Sequence, residues 1–330
     1  MRRALEIAER GRYSVSPNPM VGCVLVRNGE IIAEGWHQRA GEPHAEVKAL
    51  QSCADPGGAT MFVTLEPCAH QGRTPPCTDV IQSAGLERVV IATADPHDVV
   101  NGRGITELRA AGVQIETGVL EADARALNEK FLYSVTAKKP FVCLKAAMTL
   151  DGKLATVARD SHWITSEGAR QKSLQMREEY DAILVGGGTV SEDDPQLTRR
   201  LGWNSAITPW TRVVLDRDQR VPPTARVLTD GGATLHLTRD IDLEELLVDL
   251  YARGTTSLIV EGGAFIHSEF IRRRLWQKLI AFVAPMVVGG ADAPSIFAGE
   301  PARRLTDAYR FRFDRVELVD RDLMITGYPM

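Results

Sequence analysis

Apolar residues in the first 140 positions fall into short runs separated by turn and helix signals. "RRALEIAERG" spaces its apolar positions three and four apart and predicts a helix over residues 2–11. Two apolar runs in "VGCVLVRNGEIIAEGWH" flank Asn28-Gly29, a dipeptide whose tolerance of positive φ suits a type I′ hairpin turn. "PHAEVKALQSC" predicts a helix with Pro43 at or just before its first turn. "TMFVTL" has the pattern of a buried strand, and "CTDVIQSAG" that of a helix closed by Gly85. "RVVIAT", a helix near 103–111, "VQIET" and a long helix at 121–137 follow. Strands alternating with helices imply α/β layers around a largely parallel sheet, opened by one hairpin.

"TAKKPFV", residues 136–142, is polar, basic and broken by Pro140, which sets a domain boundary between 1–139 and 140–330. Beyond it the alternation restarts. Strands are predicted at "FVCLKAAM", "DAILVGG", "RVVLD", "ATLHLT" and "SLIVEGG", with helices over 167–179, 242–253 and 264–273. "KLIAFVAPMVVGG" follows, and "RFRFDRVELVDRDLMITGY" predicts a terminal β-hairpin turning near Asp320 to Asp322. The second domain is therefore α/β with a mixed sheet. Its strands end in glycine pairs, and it contains no G-x-G-x-x-G.

Composition narrows the partners more than the fold. Hydrophobic residues make up 44% and charged residues 25%, ordinary for a globular chain. A net charge of −4 opposes an electrostatic nucleic-acid binder. No run of 18 apolar residues exists to span a membrane, and the amphipathic N-terminus lacks the apolar centre of a signal peptide. Five cysteines without an export signal imply reduced thiols and a cytoplasmic location.

Two of those cysteines stand in "LEPCAHQGRTPPC", residues 65–77. The cytoplasmic reading weakens a disulfide between Cys68 and Cys77 and leaves a metal site or unrelated small hydrophobes. His44-Ala45-Glu46 opens a helix, and the cysteines close a strand and open the next helix. His44, Cys68 and Cys77 supply the three protein ligands of a catalytic zinc site, with a water in the fourth position. A structural zinc would take its fourth ligand from Cys53 or His70. Glu46 does not suit a closed structural site, but it suits proton transfer from an activated water to a leaving amine.

His-x-Glu with Pro-Cys resembles the zinc-deaminase signature, although the cysteines are nine positions apart here and three apart in P-C-x-x-C. With "SPNPMVGCVLV", "GWHQRAGEPHAE" and "TLEPCAHQGRTPPC", the first half resembles the deaminase half of the bifunctional riboflavin-biosynthesis deaminase/reductases, where the longer insert is the rule. The resemblance implies a cytidine-deaminase-like three-layer αβα domain and a substrate held by Asn18, His37, His70, Arg73 and Asp95. Arg73 suits a sugar phosphate. Met20 and His97 depart from the family pattern, at positions usually Asn in "PNPNVG" and "DPN".

"VCLKAAMTLDGKLAT", "SHWIT", "ILVGGGTVSEDDPQLTRR" and "LIVEGGAFI" resemble the reductase half of the same family. The resemblance implies a dihydrofolate-reductase-like α/β domain that uses NADPH. Glycines after apolar strands let backbone N–H groups approach a phosphate, and both Gly262-Gly263 and the turn from Gly186 to Gly188 have that form. Tight strand-to-helix turns also take glycine for steric reasons alone. By position, Ala147, Trp163, Thr189, Asp193, Gly262 and Gly263 are expected at the cofactor. Ser161, Arg177, Leu197, Arg200 and Glu261 are expected at the substrate, with Arg177 and Arg200 suited to its phosphate and Lys145 and Asp151 beside the sugar. For Trp163, core packing is the alternative. Arg217, where a small residue is common, either meets the 2′-phosphate of NADPH or is solvated.

Together these imply a two-domain enzyme holding one zinc ion and NADPH and acting on a phosphorylated pyrimidine, homo-oligomeric by resemblance. A nucleic-acid-editing deaminase shares His-x-Glu and Pro-Cys, but the acidic balance, cysteine spacing and appended domain oppose it. A nucleotide-binding module with a structural zinc is the non-enzymatic alternative.

Overall fold

A computed structural model describes residues 1–71, 75–97 and 100–330. The chain divides into two compact units, Met1–Lys139 with Trp203–Thr208, and Pro140–Gly202 with Pro209–Met330.

In the first unit, helix α1 (Arg2–Ala8) precedes the hairpin of β1 (Gly22–Arg27) and β2 (Glu30–Trp36). Helix α2 (Ala45–Gln51), β3 (Thr60–Leu65), α3 (Cys77–Ser83), β4 (Arg88–Thr93), α4 (Arg103–Ala110) and β5 (Gln114–Thr117) follow. Two short helices close it, α5 (Glu121–Leu127) and α6 (Glu129–Ala137). The sheet runs β2-β1-β3-β4-β5, antiparallel around β1 and parallel from β3 to β5. Asn28 and Gly29 have φ of 54° and 82°, and Arg27 pairs with Glu30, as a type I′ turn requires. Side-chain alternation then splits the core. Val24 faces Ala4 and Ile7 of α1, while Cys23, Leu25, Met61, Val63 and Ile91 pack with residues of α2, α3 and α4. Helices therefore cover both faces, giving three αβα layers.

The continuous helix expected over 121–137 is two helices. Asn128 breaks it with φ −107° and ψ 23°. Its buried side chain accepts from the Met20 N–H and donates to the Met20 carbonyl, both at 2.8 Å. A distant backbone thus claims a polar side chain that helical periodicity cannot register. The Met20 side chain itself packs with Ala8, Val15 and Leu127 in the core.

The second unit holds β6 (Phe141–Thr149), α7 (Glu167–Glu178), β7 (Ala182–Gly186), α8 (Gly187–Asp193), β8 (Thr211–Leu215), α9 (Arg226–Thr229) and β9 (Thr234–Leu237). After them come α10 (Leu243–Ala252), β10 (Ser257–Val260), α11 (Ala264–Arg272), β11 (Lys278–Ala284), β12 (Phe311–Val319) and β13 (Asp322–Pro329). The eight-stranded sheet runs β12-β13-β11-β6-β10-β7-β8-β9, with only the β12–β13 and β11–β13 pairs antiparallel. Central strands are buried on both faces. Val142, Leu144, Leu184 and Leu258 pack with α10 and α11, and the alternate positions Cys143, Ile183 and Ile259 are buried as well. The glycine run read as a turn at 186–188 begins helix α8, and Gly187 within it has room only for hydrogen. A Cβ there would lie 2.3 Å from Asp216 Oδ1.

Candidate active sites

Three chain segments converge at the C-terminal end of β3. The strand ends at Leu65, and Glu66-Pro67-Cys68 leads away from it. Cys77 opens α3, and His44 is the N-cap residue of α2. Helix α2 lies close on β2 because Gly35 lacks a side chain; a Cβ there would sit 2.4 Å from the Ala45 carbonyl. His44 Nδ1 lies 3.2 Å from Cys77 Sγ and 3.5 Å from Cys68 Sγ, and all three donor atoms fall within 4.8 Å of one another. The Cys77 N–H donates to Cys68 Sγ at 3.4 Å. Hydrogen bonding from the Cys77 thiol, followed by that from His44, pushes the Cys68 thiol down to about 4, while Cys77 is pushed up. An imidazole and two sulfurs form a donor set that fits zinc. No fourth ligand joins the cluster among the described residues, so neither Cys53 nor His70 closes it into a structural site.

Glu46 follows two residues after His44 on α2 and is 3% exposed; burial pushes its carboxyl pKa up. His37 is also buried and meets the His44 ring edge-on at 5.4 Å. Asn18 Nδ2 donates to His37 Nε2 at 3.0 Å, which sets the tautomer with its proton on Nδ1, towards the Pro43 carbonyl. Burial, then the neighbouring His44, lowers the His37 pKa. Asn18 and His37 therefore stand together beside the cluster. Asp95 is 7% exposed with its pKa raised by burial, and its Oδ1 accepts from the His97 N–H at 2.8 Å. His70 is half-buried, with Nδ1 lacking a partner. Arg73 lies outside the described residues.

Sequence reasoning passed over Glu66. Its buried carboxylate accepts from the backbone N–H groups of Asp95, Gly102 and Ile105, tying the Cys68 segment to the loop after β4 and to α4. An acid directly after a buried apolar strand was the available signal, because such a group needs partners.

In the second unit Lys145 on β6, Arg177 on α7 and Glu261 just after β10 form one largely buried charge cluster. Arg177 binds Glu261 through two parallel hydrogen bonds of 2.8 Å, and Lys145 Nζ lies 3.7 Å from Glu261. Burial pushes Glu261 up, but the charges of Arg177 and Lys145 outweigh it and hold the carboxyl at about 2. Burial lowers the Lys145 pKa. The Arg177 fork, expected at a phosphate, is filled by Glu261. His267, which the sequence reading did not single out, is 2% exposed, and burial holds it at about 4.

Asp151 accepts from the Thr149 hydroxyl at 2.6 Å and from the backbone N–H groups of Val288 and Gly289. Ala147 is half-buried on β6. Ser161 and Trp163 flank His162, and burial raises the pKa of Asp193. Trp163 is 65% exposed and lies over the Arg170 guanidinium at 4.6 Å, so core packing does not explain it. Thr189 on α8 faces Gly263, where a Cβ would stand 3.9 Å from the Thr189 hydroxyl, and a Cβ at Gly188 would meet nothing within 4 Å. The start of α8 at Gly188 and the N-cap of α11 at Gly263 leave space beside the backbone, which fits a phosphate group. Gly262 differs, since a Cβ there would collide with Ile266 at 2.7 Å. Leu197 is buried, Arg200 is exposed, and Arg217 is exposed between Asp218 and Asp240.

Residues 1–93 match the cytidine and deoxycytidylate deaminase zinc-binding region, and residues 140–325 match the RibD C-terminal domain. The riboflavin biosynthesis protein RibD of Bacillus amyloliquefaciens is 40% identical, spanning 100% of this chain and 95% of that protein. Its counterpart in Escherichia coli (strain K12) is 37% identical over 98% of this chain and 97% of that protein. The solved diaminohydroxyphosphoribosylaminopyrimidine deaminase/5-amino-6-(5-phosphoribosylamino)uracil reductase of Thermotoga maritima superposes with a TM-score of 0.90 at 38% identity, covering 100% of this chain and 97% of that one. Acinetobacter baumannii RibD, form 1, gives 0.89 at 36% identity, with coverage of 100% and 97%. No described helix is long and apolar enough to cross a membrane.

Proposed function

This chain belongs to the RibD family of riboflavin biosynthesis proteins, with a deaminase and a reductase domain, and from that premise we propose which residues carry each step. Residues 1–139 hydrolyse an exocyclic amine of 2,5-diamino-6-ribosylamino-4(3H)-pyrimidinone 5′-phosphate. Residues 140–330 then reduce the ribosyl side chain of 5-amino-6-(5-phosphoribosylamino)uracil to ribityl with NADPH. The observation that carries the first assignment is the convergence of His44, Cys68 and Cys77 within 4.8 Å beside a buried Glu46.

His44, Cys68 and Cys77 would hold one zinc ion, which would supply Lewis-acid activation of a water. Glu46 takes a proton from the attacking water and returns it to the departing ammonia. Asn18, His37 and Asp95 grip the pyrimidine, with His70 and Arg73 towards the phosphate end. In the reductase, the helix starts at Gly188 and Gly263, with Thr189 between them, receive the cofactor's phosphates, while Gly262 permits α11 to pack closely. Ala147, Trp163 and Asp193 complete that side. Bound NADPH supplies the hydride. Lys145 and Glu261, fixed by Arg177, meet the sugar together with Asp151, Ser161 and Leu197. Arg200, exposed and cationic, takes the phosphate that the filled fork of Arg177 does not. None of the five cysteines is in a disulfide, which suits a reducing compartment such as the cytoplasm.

Incubating the diaminopyrimidine phosphate with the protein, with and without NADPH, tests both assignments. Mass spectrometry is expected to show amine-to-oxo exchange in either case and addition of two hydrogens only with NADPH. An unchanged substrate in both samples overturns the reading.

A further inference from the structure

The segment between α8 and β8 carries Leu197 and Arg200, and it is fastened repeatedly along its length. Buried Arg212, itself held by Asp230 through two bonds of 2.7 Å, donates to the Gln196 carbonyl at 2.9 Å. Trp210 Nε1 donates to the Leu197 carbonyl at 2.8 Å. The Leu201 N–H donates to the buried carboxylate of Glu178, the last residue of α7, at 3.0 Å. Leu197 has φ of 52°, a left-handed backbone that a leucine keeps only where its surroundings dictate it.

Arg199 is central to these ties. Its guanidinium lies over the Trp210 ring at 4.6 Å. Nε donates to the Arg177 carbonyl at 3.3 Å, and Nη2 donates to the Tyr180 carbonyl. The last carbonyls of an α-helix lack partners within the helix, and a cation is favoured beside them. Arg177 stands in that last turn of α7. Its backbone therefore receives Arg199 while its side chain grips Glu261 through two bonds. A planar fork that reaches two carbonyls and stacks on an indole is a property of arginine, not of lysine. Arg199 is half-buried in this way, and the adjacent Arg200 is left exposed.

We propose that Arg199 is a positioning residue for the reductase. It fixes Arg200 at a set distance from the Glu261 cluster, so that a phosphate held by Arg200 brings the reacting sugar carbon into register with Lys145 and Glu261. Arg199 itself does not touch the substrate. Holding the segment in place before binding spares the substrate the cost of ordering it, so the effect falls on KM more than on kcat. This rests on the reading of Arg200 as the partner of the substrate's phosphate.

Steady-state reduction by the full-length chain tests it, with 5-amino-6-(5-phosphoribosylamino)uracil and its dephosphorylated counterpart as substrates. Arg199→Ala is expected to raise KM for the phosphorylated substrate about tenfold and to lower kcat by less. The dephosphorylated substrate is expected to keep its wild-type kcat/KM. Arg200→Ala is expected to match or exceed that rise, with R199A/R200A no worse than R200A alone, because one residue acts through the other. Arg199→Lys keeps the charge and one donor and is expected to raise KM only about threefold. It carries the same comparison if circular dichroism finds the alanine variant unfolded. Equal losses on both substrates, or losses that add in full to those of Arg200→Ala, reduce Arg199 to a structural contact and overturn the proposal. An Arg200→Ala variant with wild-type KM overturns the phosphate assignment itself, and the proposal with it.

Discussion

Around Cys68, the first unit leaves a nitrogen and two sulfurs pointing at common space, with a buried acid alongside. Around Glu261, the second unit closes its charges on one another, a carboxylate between a guanidinium and an ammonium. The first arrangement gathers donor atoms whose set fits a metal ion. The second is complete without a ligand and presents a preset field to whatever lies beside it. The difference follows the division of chemical labour. Hydrolytic deamination draws its proton transfers from the protein, whereas a hydride donor brings its own chemistry and asks mainly for position and electrostatics.

The contrast is broken most forcefully at Glu46. Glu46→Gln removes the proton carrier and keeps the side chain's shape, so deamination is expected to fall on the order of 10²–10⁴-fold. Metal content and NADPH-dependent reduction remain at wild-type levels. Retained deamination, measured by product mass, would remove Glu46 from the mechanism.

Glu261→Gln probes the opposite logic. It leaves Arg177 and Lys145 buried without their counter-charge, a loss of about 3–5 kcal/mol, expected to appear in the denaturant transition of the reductase unit while zinc-dependent deamination continues. The same carboxyl dictates a pH dependence. Its pKa in the folded chain, about 2, lies below its ordinary 4.5, so its contribution is complete above about pH 4.5 and is lost as the pH falls towards 2. The denaturant midpoint should decline through that window in the wild type, and the Glu261→Gln variant should have a flatter profile. An equal decline in both would place the acid sensitivity in other carboxyls.

Asn128→Ala is the mildest of these changes. It strips the Met20 N–H and carbonyl of their buried partner, at about 1–3 kcal/mol, and is expected to lower the thermal midpoint of the deaminase unit. Since Met20 is two residues from Asn18, KM for the pyrimidine should rise more than kcat falls. An unchanged KM would show that the tie serves stability alone.

The legibility of the two sites follows the same contrast. Zinc ligands obey local rules, so His44 at a helix start, Cys68 beyond a strand end and Cys77 at the next helix start were readable as a set. Glu66 was not, because its partners are backbone groups from residues 95 to 105 that only packing brings to it. The charge cluster was readable as separate polar positions, but not the filling of the Arg177 fork. Glycines were the hardest to divide, since spacing cannot separate one that leaves space for a ligand, as at Gly263, from one that leaves space for Ile266, as at Gly262.

What the amino-acid order determines here is whatever depends on neighbours along the chain: the element sequence, the Asn28-Gly29 turn and the ligand set. Tertiary structure decides whatever depends on competition for a partner. Asn128 leaves its helix for the Met20 backbone, Arg177 is taken by Glu261, and Trp163 is left exposed over Arg170. The physical reason is that a buried polar group must find a partner, and which one lies within about 3 Å is a property of the packed chain.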